Sequence, residues 1–353
     1  LEHYELPGYL LEQYGGWGAK KVVELYVRYV EQVFARYHNK VARWFTFNEP
    51  IVVQTRVYLD ALRWPYEQNT GKWMQWNHHK VLATAKVVQL FREKGYRGTV
   101  GCILNPEVTY PRSSAAHDRR AAEVYDLFYN RVFLDPLVHG VYPVELFALL
   151  EKHGVNWDYS VEELAMIRDN TVDELGINLY YPHRVKAPSR AWHPDTPFHP
   201  AWYYEPFDLP GRKMNPSRGW EIYPQIVYDM AMRIKNDYRN IPWFVAESGM
   251  GVENEAQFRN ADGVIADDYR IRFIRDHLWQ TLRAREDGAN CHGYMLWAFT
   301  DNVSPMNAFK NRYGLIEIDL DADRARRPKA SASWFRQLRD SRVLTMDIDD
   351  EWR

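Results

Sequence analysis

Short, continuously apolar segments alternate with longer amphipathic ones along most of this 353-residue chain, and that alternation restricts the fold more than any other feature. Residues 19–38 (AKKVVELYVRYVEQVFARYH) carry apolar side chains at helical spacing, and the buried-strand pattern WFTFNE follows at once. The same order recurs. Helical patterns at 78–95, 115–133, 144–153, 224–237, 267–287 and 328–339 are interleaved with strands expected at 43–48, 99–104, 174–180, 242–247 and 292–299. Repeated strand–helix order implies parallel strands covered on both faces, which is why these strands read as apolar runs and do not alternate.

Polar groups gather where the strands end: Asn48 and Glu49, Asn105, Asn178 and Tyr180, Glu247, then Trp297 and Asp301. A (β/α)8 barrel carries its active site at that end of its strands, and an open α/β sheet binds its ligands there too. The stretch 186–219, rich in proline and aromatics, reads as a large loop over such a site. Composition narrows the function. With 45 basic against 47 acidic residues there is no global field for nucleic acid or for an anionic membrane surface. No apolar run reaches membrane-spanning length. The N-terminus lacks signal-peptide regions, and the two cysteines form no framework, which together imply a reducing, cytoplasmic setting. Fourteen Trp, 24 Tyr and 15 Phe suit stacking on sugar C–H faces, though they suit core packing equally.

Two glutamates carry the chemistry: Glu49 in TFNEP and Glu247 in VAESG, each ending an apolar strand. Alone, either is an ordinary acidic residue at the start of the next helix. As a pair they supply what glycoside hydrolysis requires, one carboxylic acid to protonate the leaving oxygen and one carboxylate to attack.

The surrounding motifs resemble glycoside hydrolase family 1, the retaining β-glycosidases. HYELP (3–7) resembles the family's H-x-D-L-P and is followed by YGGW (14–17). GINLYY (176–181), GWEIYP (219–224) and WAFTDNVS (297–304) resemble its G-x-N-Y-Y, G-W-E-I-Y-P and W-S-L-x-D-N. The resemblance spans residues 1 to about 338. It implies one barrel domain over 1–338 with an acidic tail at 339–353, Glu49 as acid/base and Glu247 as nucleophile. It further implies that Asn48 binds the sugar 2-hydroxyl, that Tyr180 holds the nucleophile, that His3 and Asn178 contact substrate, and that Trp297 lies beneath the ring. No metal and no organic cofactor is expected.

One segment departs from the pattern. Family β-glucosidases carry a glutamate that grips the sugar 4- and 6-hydroxyls where this chain has Ser304. Replacing that carboxylate, with Lys310 and Tyr313 following, suits a 6-phosphate that a glutamate would repel. The resemblance therefore points to 6-phospho-β-glucosidases, whose lysine lies two residues before the tyrosine. Asn311 holds that place here and Lys310 sits one earlier. Ser248 is a second departure, at a place where relatives carry asparagine.

Family members place TFNEP much deeper in the chain, so a barrel incomplete at its N-terminus is expected, with strands four to eight and the end of strand three visible. An N-terminal polypeptide partner completing the barrel is one implication, and raw sheet edges are another. The leading reading is a retaining 6-phospho-β-glucosidase acting on a small-molecule glycoside. The alternatives are a β-glucosidase for unphosphorylated sugars and an inactive, sugar-binding barrel or subunit.

Overall fold

In the computed structural model, which describes residues 1–193, 195–304 and 307–346, the five apolar segments are strands: β1 (Arg43–Asn48), β2 (Thr99–Leu104), β3 (Glu174–Asn178), β4 (Trp243–Ser248) and β5 (Cys291–Leu296). The chain divides into two compact units. The first comprises Leu1–Asn178, His183–Leu209 and Asn236–Trp243, and the second Leu179–Pro182, Pro210–Lys235 and the described residues from Phe244 onward. The segment 186–219, expected as one large loop, is thus shared between them, with the crossing at Leu209–Pro210.

Within the first unit β1, β2 and β3 lie side by side and parallel. Their register is tight at Gly101, where an added Cβ would stand 2.5 Å from the Glu174 carbonyl oxygen and 2.9 Å from the Phe45 ring, so only glycine fits. Helix α1 (Lys20–Tyr37) buries Val22, Val23, Val30 and Phe34 on one stripe and packs against α2 (Thr70–Glu93). Helix α2 begins well before the expected residue 78 because Asn69 caps it, its side chain accepting from Lys72 N–H at 3.0 Å. A helix that periodicity passed over, α3 (Val161–Asp169), is started by a capping box in which Ser160 and Glu163 satisfy each other's backbone N–H groups. Glu163 also meets His78 and Lys20, and His78 first, then Lys20 and the Ser160 backbone, hold its carboxyl down at about 2. A depressed carboxyl stabilises the fold above its unfolded value near 4.5, and that contribution is lost as pH falls toward 2. Glu163→Gln should therefore lower the urea midpoint at about pH 6 and differ less from wild type at about pH 3. A gap that does not shrink would show that the carboxylate is unimportant.

In the second unit β4, from Phe244 on, neighbours β5. Apolar Met295 and Phe299, in and just after β5, are 51% and 72% exposed. Helix α4 (Gln225–Asp237) starts in this unit, and α5 (Asp268–Glu286) and α6 (Ala330–Ser341) follow within two residues of their expected bounds. The tail expected from 339 thus begins inside α6, and residues 347–353 lie outside the described residues. Beneath α5 runs a buried ion-pair network: Arg270 pairs with Asp267 and Glu255, and Lys329 with Glu255 and Asp301. Removing one partner would strand a buried charge, which makes the network a constraint on how this unit closes. Asp301, read from sequence as a polar strand-end group, belongs here. Its carboxylate accepts from Lys329 Nζ and Gly314 N–H, each at 2.9 Å. No helix among the described residues is long and apolar enough to cross a membrane.

Candidate active site

The first unit assembles one cluster of polar groups around Glu49. Strand β1 pairs with β2 through the Glu49 N–H, which donates to the Ile103 carbonyl at 2.8 Å. Pro50 stops the strand, and Glu49 itself turns to φ 44°. A left-handed glutamate costs on the order of 1 kcal/mol or more. The surroundings hold it there: Val52 N–H donates to the Glu49 carbonyl at 3.1 Å, and the buried Lys80 ammonium donates to the Pro50 carbonyl at 3.1 Å. Asn178, at the end of β3, donates from Nδ2 to Glu49 Oε1 at 2.8 Å and to Asn48 Oδ1 at 3.3 Å. The two residues that precede HYELP lie along β1, with Glu2 bridged in parallel to Phe47. This sets His3 Nε2 and Asn48 Nδ2 3.2 Å apart in hydrogen-bond contact, and the Tyr4 hydroxyl donates to Glu49 Oε2. Burial lowers the pKa of His3, which favours the neutral ring that can accept as well as donate. Of the residues singled out in sequence, His3, Asn48, Glu49 and Asn178 are thus brought together in this unit.

The second unit builds a cluster around Glu247. Leu179 N–H donates to the Glu247 carbonyl at 2.8 Å, which aligns Tyr180 so that its hydroxyl donates to Glu247 Oε2 at 2.8 Å. Trp297 N–H donates to the Ser248 carbonyl at 3.0 Å. The Trp297 carbonyl presses so closely on Gly249 that an added Cβ would lie 1.8 Å away. Glycine after Ser248 is therefore obligatory, and half-buried Trp297 is held beside the end of β4. The Trp297–Ala298 peptide is cis.

The Ser304–Tyr313 segment belongs to this unit as well. Ser304 and Ala308 exchange two reciprocal backbone hydrogen bonds of 2.8 Å. Residues 305 and 306 lie outside the described residues. Tyr313 is buried, with its ring against Gly251, four residues past Glu247. Lys310 points elsewhere: it is 65% exposed and pairs with Glu253 at 3.3 Å. Asn311, its neighbour, is the buried residue. Asn311 accepts from Arg218 Nη1 at 3.2 Å and donates to Glu253 Oε1 at 3.2 Å.

Sequence reasoning missed Tyr4 and Arg218. Tyr4 sits inside a motif that was noticed for its histidine, and Arg218 immediately precedes the Gly-Trp of GWEIYP. A basic residue beside such a motif was the available signal. Each cluster holds a carboxylate by hydrogen-bond donation, Glu49 from Tyr4 and Asn178 and Glu247 from Tyr180, an arrangement that suits proton transfer or nucleophilic attack.

Comparisons with known proteins agree with the motifs. The model of glycosyl hydrolase family 1 matches residues 1–343. The 6-phospho-beta-glucosidase GmuD of Bacillus subtilis is 44% identical over 338 residues, covering 96% of this chain and 72% of that protein. A 6-phospho-beta-galactosidase of Clostridium acetobutylicum is 30% identical over 366 residues, covering 99% of this chain and 76% of its own length. Among solved structures, a beta-glucosidase from Exiguobacterium marinum superposes with a TM-score of 0.85 at 27% identity, covering 96% of this chain and 74% of that one. With the family model matching residues 1–343 of its 353, the chain belongs to glycosyl hydrolase family 1.

Proposed function

We propose that the chain hydrolyses 6-phospho-β-glucosides with retention at the anomeric carbon, its strands forming part of a (β/α)8 barrel. Glu247 attacks the anomeric carbon while Glu49 protonates the departing oxygen. Water deprotonated by Glu49 then displaces Glu247 from the glycosyl-enzyme, and no metal or cofactor takes part. Tyr180 orients the nucleophile through its bond to Oε2, and Asn178 does the same for Glu49. Asn48 and His3 address the sugar hydroxyls, Trp297 lies under the ring, and Ser304 and Tyr313 face the phosphate.

Serine at 304 carries this reading, since a carboxylate there would repel a dianion. The 44% identity to a 6-phospho-beta-glucosidase supports it. Two buried, unbridged cysteines fit a cytoplasmic enzyme fed with sugar phosphates. The test is the ratio of kcat/KM for nitrophenyl 6-phospho-β-glucoside to that for nitrophenyl β-glucoside. A preference of at least about 100-fold is expected, the worth of two charge-assisted hydrogen bonds. A ratio near one would replace the proposal with a β-glucosidase, and hydrolysis of neither would leave an inactive sugar-binding chain.

A further inference from the structure

A substrate phosphate needs a cation that is free to meet it, and Lys310 is spent on Glu253 at the surface. Arg218 is placed differently. Its guanidinium lies 4.2 Å over the Trp220 ring, its Nη1 donates to the neutral Asn311 amide, and its Nε is shielded from solvent without a partner. Among the described residues, no carboxylate forms an ion pair with it. A half-buried cation held against an indole and an amide is incompletely compensated, so an arriving anion gains more there than at an exposed lysine. Tyr313 faces the same group, and the Arg218 charge offsets part of the burial that raises the tyrosine's pKa.

The position relative to the chemistry is also defined within this unit. Trp220 stacks on Tyr181 at 4.7 Å and lies 5.4 Å from Tyr180, whose hydroxyl holds Glu247. Arg218 is therefore linked through two aromatic side chains, Trp220 and Tyr180, to the carboxylate assigned to the anomeric carbon. Asn311, 1% exposed, stands where related phosphoglycosidases are expected to carry lysine, and it anchors the arginine in place of supplying a charge.

We propose that Arg218 is the cation that recognises the substrate's 6-phosphate, and that Lys310 serves only to neutralise Glu253. This rests on the phosphoglycosidase reading and deepens it. The planar fork of the guanidinium can give two parallel N–H bonds to phosphate oxygens, a geometry that an ammonium cannot reproduce.

The test measures the same kcat/KM ratio in wild type, Arg218→Met, Arg218→Lys and Lys310→Met. The Arg218→Met ratio should fall about 10- to 100-fold, the worth of a charged hydrogen-bonding group, and the loss should sit in KM for the phosphorylated substrate. Arg218→Lys should recover part of it, and Lys310→Met should change the ratio less than about threefold. An unchanged ratio in Arg218→Met overturns the inference, as does a large fall in Lys310→Met. Equal loss on both substrates in Arg218→Met also overturns it, because that marks a structural role. A wild-type ratio near one refutes the phosphate reading itself, before any variant is made.

Discussion

Glu247→Ala should abolish hydrolysis of nitrophenyl 6-phospho-β-glucoside, lowering kcat by about 10⁴-fold or more. The carboxylate is the atom group that replaces the leaving oxygen at the anomeric carbon, so its removal deletes a bond-forming step outright. Tyr180 loses its hydrogen bond to Glu247 in the variant, but the backbone bond from Leu179 to residue 247 remains, and the end of β4 should keep its path. An unfolding midpoint close to that of wild type would verify this. The space vacated by the carboxylate admits a small anion, so azide or formate at high concentration should restore turnover and yield a product of inverted configuration. Anomeric proton NMR of the product distinguishes the two stereochemical courses. Undiminished release of nitrophenol by the variant would remove Glu247 from the mechanism.

Glu49→Ala should show a different signature, because a proton donor matters in proportion to how badly the leaving group needs the proton. General acid catalysis contributes about 10²- to 10⁴-fold. With a nitrophenolate leaving group, formation of the glycosyl-enzyme should be only mildly slowed, and its breakdown should become limiting for want of a base. A burst of nitrophenol followed by a slow steady state is expected. With an alkyl aglycone the first step itself should fail. Azide needs no deprotonation and should speed breakdown, giving a glycosyl azide of retained configuration. Equal loss on aryl and alkyl substrates would assign the proton transfer to another group. Asn178→Ala and changes at Tyr4 offer a graded comparison, since both residues bond the Glu49 carboxylate without being able to replace it.

The difference between what could and could not be seen in the chain follows from range. WFTFNEP announced a buried strand ending on a carboxylate because apolar periodicity and the Glu-Pro stop are local. β1 is found at Arg43–Asn48 with the turn at Glu49. The capping box at Ser160 and Glu163 is equally local, but it lies in polar side chains that apolar spacing does not register. The start of α2 was lost for a similar reason: Thr70 to Asn77 (TGKWMQWN) looks broken by its glycine and large rings, while Asn69 decides the helix. Asp301 shows the opposite error. A polar residue after a strand resembled a site group, whereas its carboxylate serves a buried network with Lys329.

By itself the sequence determined the alternating strand–helix order, the two strand-end glutamates and the exchange of a carboxylate for Ser304, since each is a matter of residue type and short spacing. Only the tertiary structure decided which donors those carboxylates meet and which cation is left available. Asn178 reaches Glu49 across 129 residues, and Arg218 reaches Asn311 across 93. Lys310 and Arg218 carry the same formal charge in the sequence. Folding separates them, setting one in solvent against Glu253 and holding the other, half-buried, over Trp220. Burial and partners, which no local pattern encodes, decide what a charge can bind.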